Sequence, residues 1–207
     1  WRECPQNVWV KRRAPGEYKG FEVSAFEQAL AEMGNEVEAL ARGMFPNGYL
    51  IERRSEGARE LTAELMAKKQ PVIFQAVFAT DKFLAATDAM QWNEAAGAYD
   101  LYEIKMSSTS ANHEESDEDE AKPNKKREEQ YEYDLAFQAN VVALCGVTLD
   151  KQYLVRLNRE YVREGDLDFT PGTLFIIEDK TEAVEKRMPV ALEEMERAYE
   201  YLTTMEL

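Results

Sequence analysis

The sequence predicts an α/β domain, a mixed β-sheet flanked by helices, and three observations carry that expectation. Residues 24–44 and 181–202 repeat apolar side chains at helical spacing near the two ends of the chain. Three β-branched and aromatic segments run in succession between residues 72 and 106. A further helix and two strands separate that run from the last helix, the alternation of an α/β fold. With 207 residues, 44% of them apolar, the chain is long enough for one hydrophobic core, so residues 1–207 read as one domain.

Ser24 and Glu27 form a capping box, and Leu30, Met33, Val37, Leu40, Ala41 and Met44 follow at helical spacing. Gly43 and the turn Phe45-Pro46-Asn47-Gly48 end that helix. A short strand at 49–51 and a helix at 58–69 come next, then strands at 72–78, 82–90 and 98–106, the last two joined as a hairpin through 93–97. The stretch 107–129 is Ser/Thr-rich, then acidic from Glu114 to Glu120, then basic at Lys125, Lys126 and Arg127, and reads as a mobile loop. A helix over 128–145 ends at Gly146. Its stripe Tyr131, Leu135, Gln138, Val142 and Cys145 predicts a partly buried Gln138 amide and a core thiol at Cys145. Strands at 152–157 and 173–177 precede the final helix.

No apolar run approaches the roughly 18 residues of a membrane span, and Cys4 and Cys145 lack a metal-ligand spacing, so a soluble, cytoplasmic protein in a reducing compartment is expected. The chain opens at Trp1 without a methionine, so its start is expected to be a boundary rather than a natural terminus. The net charge is −15, and about −11 without residues 107–129. A protein that grips phosphates by counterion release usually presents a basic surface, so the acidity favours a binding module over an enzyme, unless the cations cluster. Lys11, Arg12, Arg13 and Lys19, with Trp9 and Tyr18 beside them, are such a cluster or else a solvated basic face.

The candidate chemistry lies at Asp88, Glu103 and Lys105. Glu103 and Lys105 are two apart in a strand and share a face, while the hairpin brings Asp88 alongside. Two carboxylates and the Ile104 carbonyl form a hard oxygen half-shell for Mg²⁺ or Mn²⁺, and a lysine beside them orients or deprotonates water and balances charge. Glu-x-Lys occurs four times, at Glu17, Glu103, Glu120 and Glu178. The first and third lie in segments without strand character. Glu178-Asp179-Lys180, with Asp166 and Asp168 upstream, is a rival, and surface pairing is the bland alternative for all four.

The segments Gly34-Asn35-Glu36-Val37-Glu38-Ala39-Leu40-Ala41-Arg42, Ile73-Phe74-Gln75-Ala76-Val77-Phe78, Thr87-Asp88-Ala89-Met90, Tyr99-Asp100-Leu101-Tyr102-Glu103-Ile104-Lys105 and Asp134-Leu135-Ala136-Phe137-Gln138 stand in an order that resembles the RecB-like branch of the PD-(D/E)xK nuclease superfamily, related to CRISPR-associated exonucleases. The resemblance runs from about Cys4 to Tyr199 and favours Glu103 over the Glu178 rival. It implies a restriction-endonuclease-like fold and Mg²⁺- or Mn²⁺-dependent hydrolysis of DNA, with ends or single strands favoured. Asp88, Glu103, Lys105 and Gln138 would be catalytic, and Asp88, Glu103, Ile104 and an acidic group of the first helix would hold the metal.

Where such nucleases carry a histidine this chain has Glu38. Glu36 lies nearer the helix's apolar stripe and is the preferred extra acid. Gln75 stands where an acid is common, and Val142 replaces the tyrosine that usually follows the glutamine. The resemblance also implies an iron–sulfur cluster, with Cys4 as its first ligand, only if a longer native chain supplies the other cysteines. The alternatives are an inactive nuclease-fold module that binds nucleic acid or a protein partner, and an interaction protein whose acidic run at 114–120 mimics nucleic acid.

Overall fold

A computed structural model describes residues 4–14, 16, 24–52, 55–109 and 118–204. In chain order the elements are α1 (Pro5–Arg13), α2 (Ala25–Ala41), a 3₁₀ turn (Arg42–Met44), β1 (Gly48–Leu50), α3 (Ala58–Ala67), β2 (Val72–Ala79), β3 (Leu84–Asn93), β4 (Ala98–Thr109), α4 (Glu118–Leu144), β5 (Leu149–Asn158), β6 (Phe175–Asp179) and α5 (Thr181–Thr204). The six strands form one mixed sheet in sequence order, so the expected α/β class with flanking helices is what the chain adopts. β1–β2 and β4–β5 are parallel and are bridged by α3 and α4, while the other neighbours are antiparallel. Among the described residues no helix is long and apolar enough to cross a membrane.

Each face of the sheet has its own core. Ala41 at the end of α2 and Phe45 just after it pack with Val72, Phe74, Ala89, Tyr102, Ile104, Val155 and Phe175 on one side. On the other, α3, α4 and α5 bury Leu65, Leu135, Val141, Val142, Val184 and Met195 against Ile73, Met90, Leu101 and Leu154. Side-chain alternation slips within β2: Val72 and Phe74 belong to the α2 side, whereas Ala76 and Phe78 belong to the other. Between them Gln75 has φ +57°, a left-handed conformation that costs a non-glycine residue about 1 kcal/mol or more.

That kink carries β2 past the end of β1, whose pairing stops at Phe74. The Val77 N–H instead donates to the Thr62 hydroxyl at 2.9 Å, and Thr62 donates in turn to the Ala58 carbonyl at 2.8 Å. Thr62 is 1% exposed, so no water replaces it. Thr62→Val keeps the shape but removes the acceptor, and should cost about 1–3 kcal/mol. Chemical denaturation should show a lower midpoint with an unchanged slope.

Three expectations are corrected here, and one element is added. The segment 107–129 is not a continuous loop: 107–109 belong to β4 and α4 begins at Glu118, while 110–117 lie outside the described residues. Cys145 is exposed rather than a core thiol, because α4 ends at Leu144 and Gly146 turns the chain with φ +79°. Pro5 to Arg13, to which the sequence reading assigned no element, form α1 with the proline in its first turn. Trp9 is buried, so it offers no open ring to a nucleic-acid base, and Tyr18 and Lys19 lie outside the described residues.

Candidate active site

The sheet forks between β3 and β4. Their ladder runs from Asn93 opposite Ala98 to Ala89 opposite Tyr102, and continuing that register sets Asp88 against Glu103. There the backbone pairing gives way to a side chain: the Ile104 N–H donates to Asp88 Oδ2 at 2.9 Å. Beyond this point β3 continues along β2 and β4 along β5, up to Ala79–Leu84 and Thr109–Asn158. In a strand the N–H and C=O of one residue leave on the same side, so the Ile104 carbonyl also looks into the fork.

α4 closes the fork from above. Gln138 Nε2 donates to Glu103 Oε2 at 2.6 Å, and Lys105 Nζ contacts Glu103 Oε1 at 2.7 Å and Asp134 Oδ2 at 2.8 Å. The Tyr131 ring lies 5.3 Å from the same ammonium. Gln138 is 8% exposed, and its Oε1 is buried without a hydrogen-bond partner, an acceptor in search of a donor. From the α2 side Glu38 approaches, 6% exposed, paired with Arg42 at 3.1 Å and accepting from Gln75 Nε2 at 2.7 Å.

The electrostatics follow from this crowding. Burial, then the Glu103 carboxylate, then Glu38 push the Asp88 carboxyl well above its ordinary range, against the Ile104 N–H and Lys105, which favour its charge. Burial by itself would lower the Lys105 pKa, but Glu103 and Asp134 outweigh it and hold the ammonium above its usual value. Lys105 is therefore protonated here and acts as a cation and donor. Glu38, Asp88, Glu103 and Asp134 face Lys105 and Arg42, which leaves an excess of negative charge of the kind a divalent cation offsets.

The expected residues divide accordingly. Asp88, Glu103, Ile104, Lys105 and Gln138 converge at the fork. Glu36 does not: it is exposed on α2, and Glu38 occupies the buried position. The reason is that Leu30 and Met33, which centred the apolar stripe, are themselves 37% and 51% exposed, so the buried arc of α2 runs through Val37, Glu38 and Ala41. Asp134 was not legible as a site residue, because nothing in its local pattern points toward a lysine 29 residues away.

The Glu178 rival is built into a different arrangement. Arg156, 5% exposed, binds Glu178 at 2.5 Å and also Glu128, and Lys180 contacts both glutamates at 3.1 Å. Asp168 Oδ1 accepts the Thr170 N–H in a local turn. Both cysteines are free, Cys4 half-buried at the start of α1. Among the described residues no three His, Cys, Asp or Glu side chains are already grouped as metal ligands. The donor set at the fork is two carboxylates and a carbonyl, and the Glu103 oxygens are turned onto Lys105 and Gln138. Compared with protein-family models and with curated proteins, the chain matches none.

Proposed function

We propose that the protein is a metal-dependent nuclease that hydrolyses phosphodiester bonds of DNA, with its active site at the β3–β4 fork. The observation that carries this reading is the meeting of a desolvated Asp88 with Glu103, Lys105 and the Ile104 backbone, one acid repelling another in a site rich in oxygen donors. These donors fit Mg²⁺ or Mn²⁺. Asp88, Glu103 and the Ile104 carbonyl would hold the cation, with Glu38 behind them. When bound, such a cation supplies Lewis-acid chemistry, offsetting phosphate charge and acidifying water.

The chain's own groups do the rest. Lys105, kept as an ammonium, donates to a phosphate oxygen and stabilises charge that develops there. Gln138 steadies Glu103 and keeps a buried, unpartnered Oε1 beside it. A groove of about 1330 Å³ reaches Asp134 beside the site, and its lining sets Arg12, Lys82 and Tyr133, groups a single strand could use, among the acids Asp81, Glu129 and Glu194.

A second reading, a nuclease-fold module that binds without cutting, is favoured by the −15 net charge and by a lysine already held by two carboxylates. One experiment separates them. Labelled single- and double-stranded DNA is incubated with the protein in Mg²⁺ or Mn²⁺ beside Asp88→Ala and Lys105→Ala, with cation binding followed by calorimetry. The nuclease reading expects cleavage by the wild type, a loss of about 100-fold or more in both variants, and weakened cation binding in Asp88→Ala. Equal inertness of all three proteins with no cation bound sinks it.

A further inference from the structure

We propose that Asp134 is the positioning residue for Lys105, a role that rests on the nuclease reading above. The contact is one half of a matched pair. Glu103 and Lys105 stand two residues apart on β4, a spacing of about 6.6 Å along a strand. Gln138 and Asp134 stand four apart on α4, about 6 Å along a helix. The two repeats nearly coincide, so one turn of α4 grips two successive same-face residues of β4, Gln138 on Glu103 and Asp134 on Lys105.

The two carboxylates that hold the ammonium are not equivalent. Glu103 is the one assigned to the cation, and a carboxylate whose oxygens are shared with a cation is a weaker partner for a lysine. Asp134 has no such second duty, and it is the anchor that remains when the site is loaded. Its helix is itself held: Glu132 and Glu129 bind Arg187 of α5 at 2.5 and 3.3 Å, and the Asn140 amide donates to the Met188 carbonyl at 2.8 Å. An ammonium has three N–H donors, and with Glu103 and Asp134 taking one each, the third is directed at substrate. The Asp134 side chain is 41% exposed and lines the groove, so the pair it makes with Lys105 stands at the groove's edge.

The test compares Asp134→Ala and Asp134→Asn with the wild type on a labelled single-stranded DNA in Mn²⁺. It adds Mn²⁺ affinity by calorimetry and the lysine ammonium resonances of the metal-free protein by NMR. Asp134→Ala should lower kcat by about 10- to 100-fold, the scale of a misplaced catalytic group, with KM and Mn²⁺ affinity within about threefold. Asp134→Asn, whose amide oxygen still accepts, should lose less. The Lys105 ammonium signal should persist in the wild type and in Asp134→Asn and vanish by fast proton exchange in Asp134→Ala. An alanine variant that cuts like the wild type, a loss confined to KM or to Mn²⁺ affinity, or an asparagine variant as poor as alanine overturns the role. A wild type that cuts nothing overturns the nuclease reading and this role with it, and a protected ammonium would then report an ion pair alone.

Discussion

Asp88→Asn should abolish cleavage and, in the absence of divalent cation, make the protein more stable. Asparagine keeps an oxygen for the Ile104 N–H but removes a buried charge that Glu103 and Glu38 repel. Relief of about 1 kcal/mol corresponds to a Tm rise of a few degrees in a chain of this size. The pH dependence has a definite sign. Because the folded pKa of Asp88 is raised, its contribution favours folding at pH values below the unfolded carboxyl pKa of about 3.9, and is lost as pH rises through the folded pKa. The advantage of the asparagine variant should therefore be small near pH 4 and grow toward neutrality, which thermal unfolding across pH would show. Added Mn²⁺ should reverse the order, since a ligand at 100 times its Kd stabilises the native state by about 2.7 kcal/mol, and the variant lacks the carboxylate to hold it. Equal Tm values with and without Mn²⁺ in the wild type would count against a cation site at the fork.

The largest effect on stability should come from Arg156→Met. Arg156 joins Glu178 of β6 to Glu128 of α4 beneath the helix, and burial there opposes the Glu178 charge while Arg156 and Lys180 outweigh it, holding its pKa low. Removing the guanidinium leaves two acids facing one lysine, and losing one partner of a buried network costs about 3–5 kcal/mol. Adding Glu178→Leu should recover more than half of that, because an apolar replacement of the whole pair removes the stranded charge. Denaturation of the single and double variants measures both. With Glu178 depressed, the network stabilises above the unfolded carboxyl pKa of about 4.3 and fails as pH falls through the folded value, so the deficit of Arg156→Met should shrink in acid.

The sequence and the structure agree most closely where the signal is local and periodic. The Ser24–Glu27 capping box forms as the sequence indicates, with the Glu27 N–H donating to Ser24 Oγ at 3.1 Å and the Ser24 N–H to Glu27 Oε2 at 2.8 Å. The hairpin at 93–97 closes with the Gly97 N–H on the Asn93 carbonyl at 2.8 Å, which sets the register that opposes Asp88 and Glu103. The strand period places Glu103 and Lys105 on one face, and the apolar stripe of α4 carries Gln138 inward. Agreement fails where burial depends on what happens to lie opposite. Glu36 and Glu38 differ by two residues on one helix, and only the packing of Val37 and Ala41 against Phe74 and Tyr102 decides which is buried.

By itself, then, the sequence determined the element order from α2 onward, the mixed α/β class and the near-neighbour geometry of Asp88, Glu103, Ile104 and Lys105, because turns, caps and the strand period act over a few residues. Only the tertiary structure decided that Asp134 holds Lys105, that Gln75 kinks β2 to meet Glu38, and that Glu178 serves Arg156 rather than a second site. Those contacts span between 22 and 37 residues of chain. They exist because helices α2 and α4 must bury their apolar faces against opposite sides of one sheet, and the polar residues they carry into the fork have to find partners there.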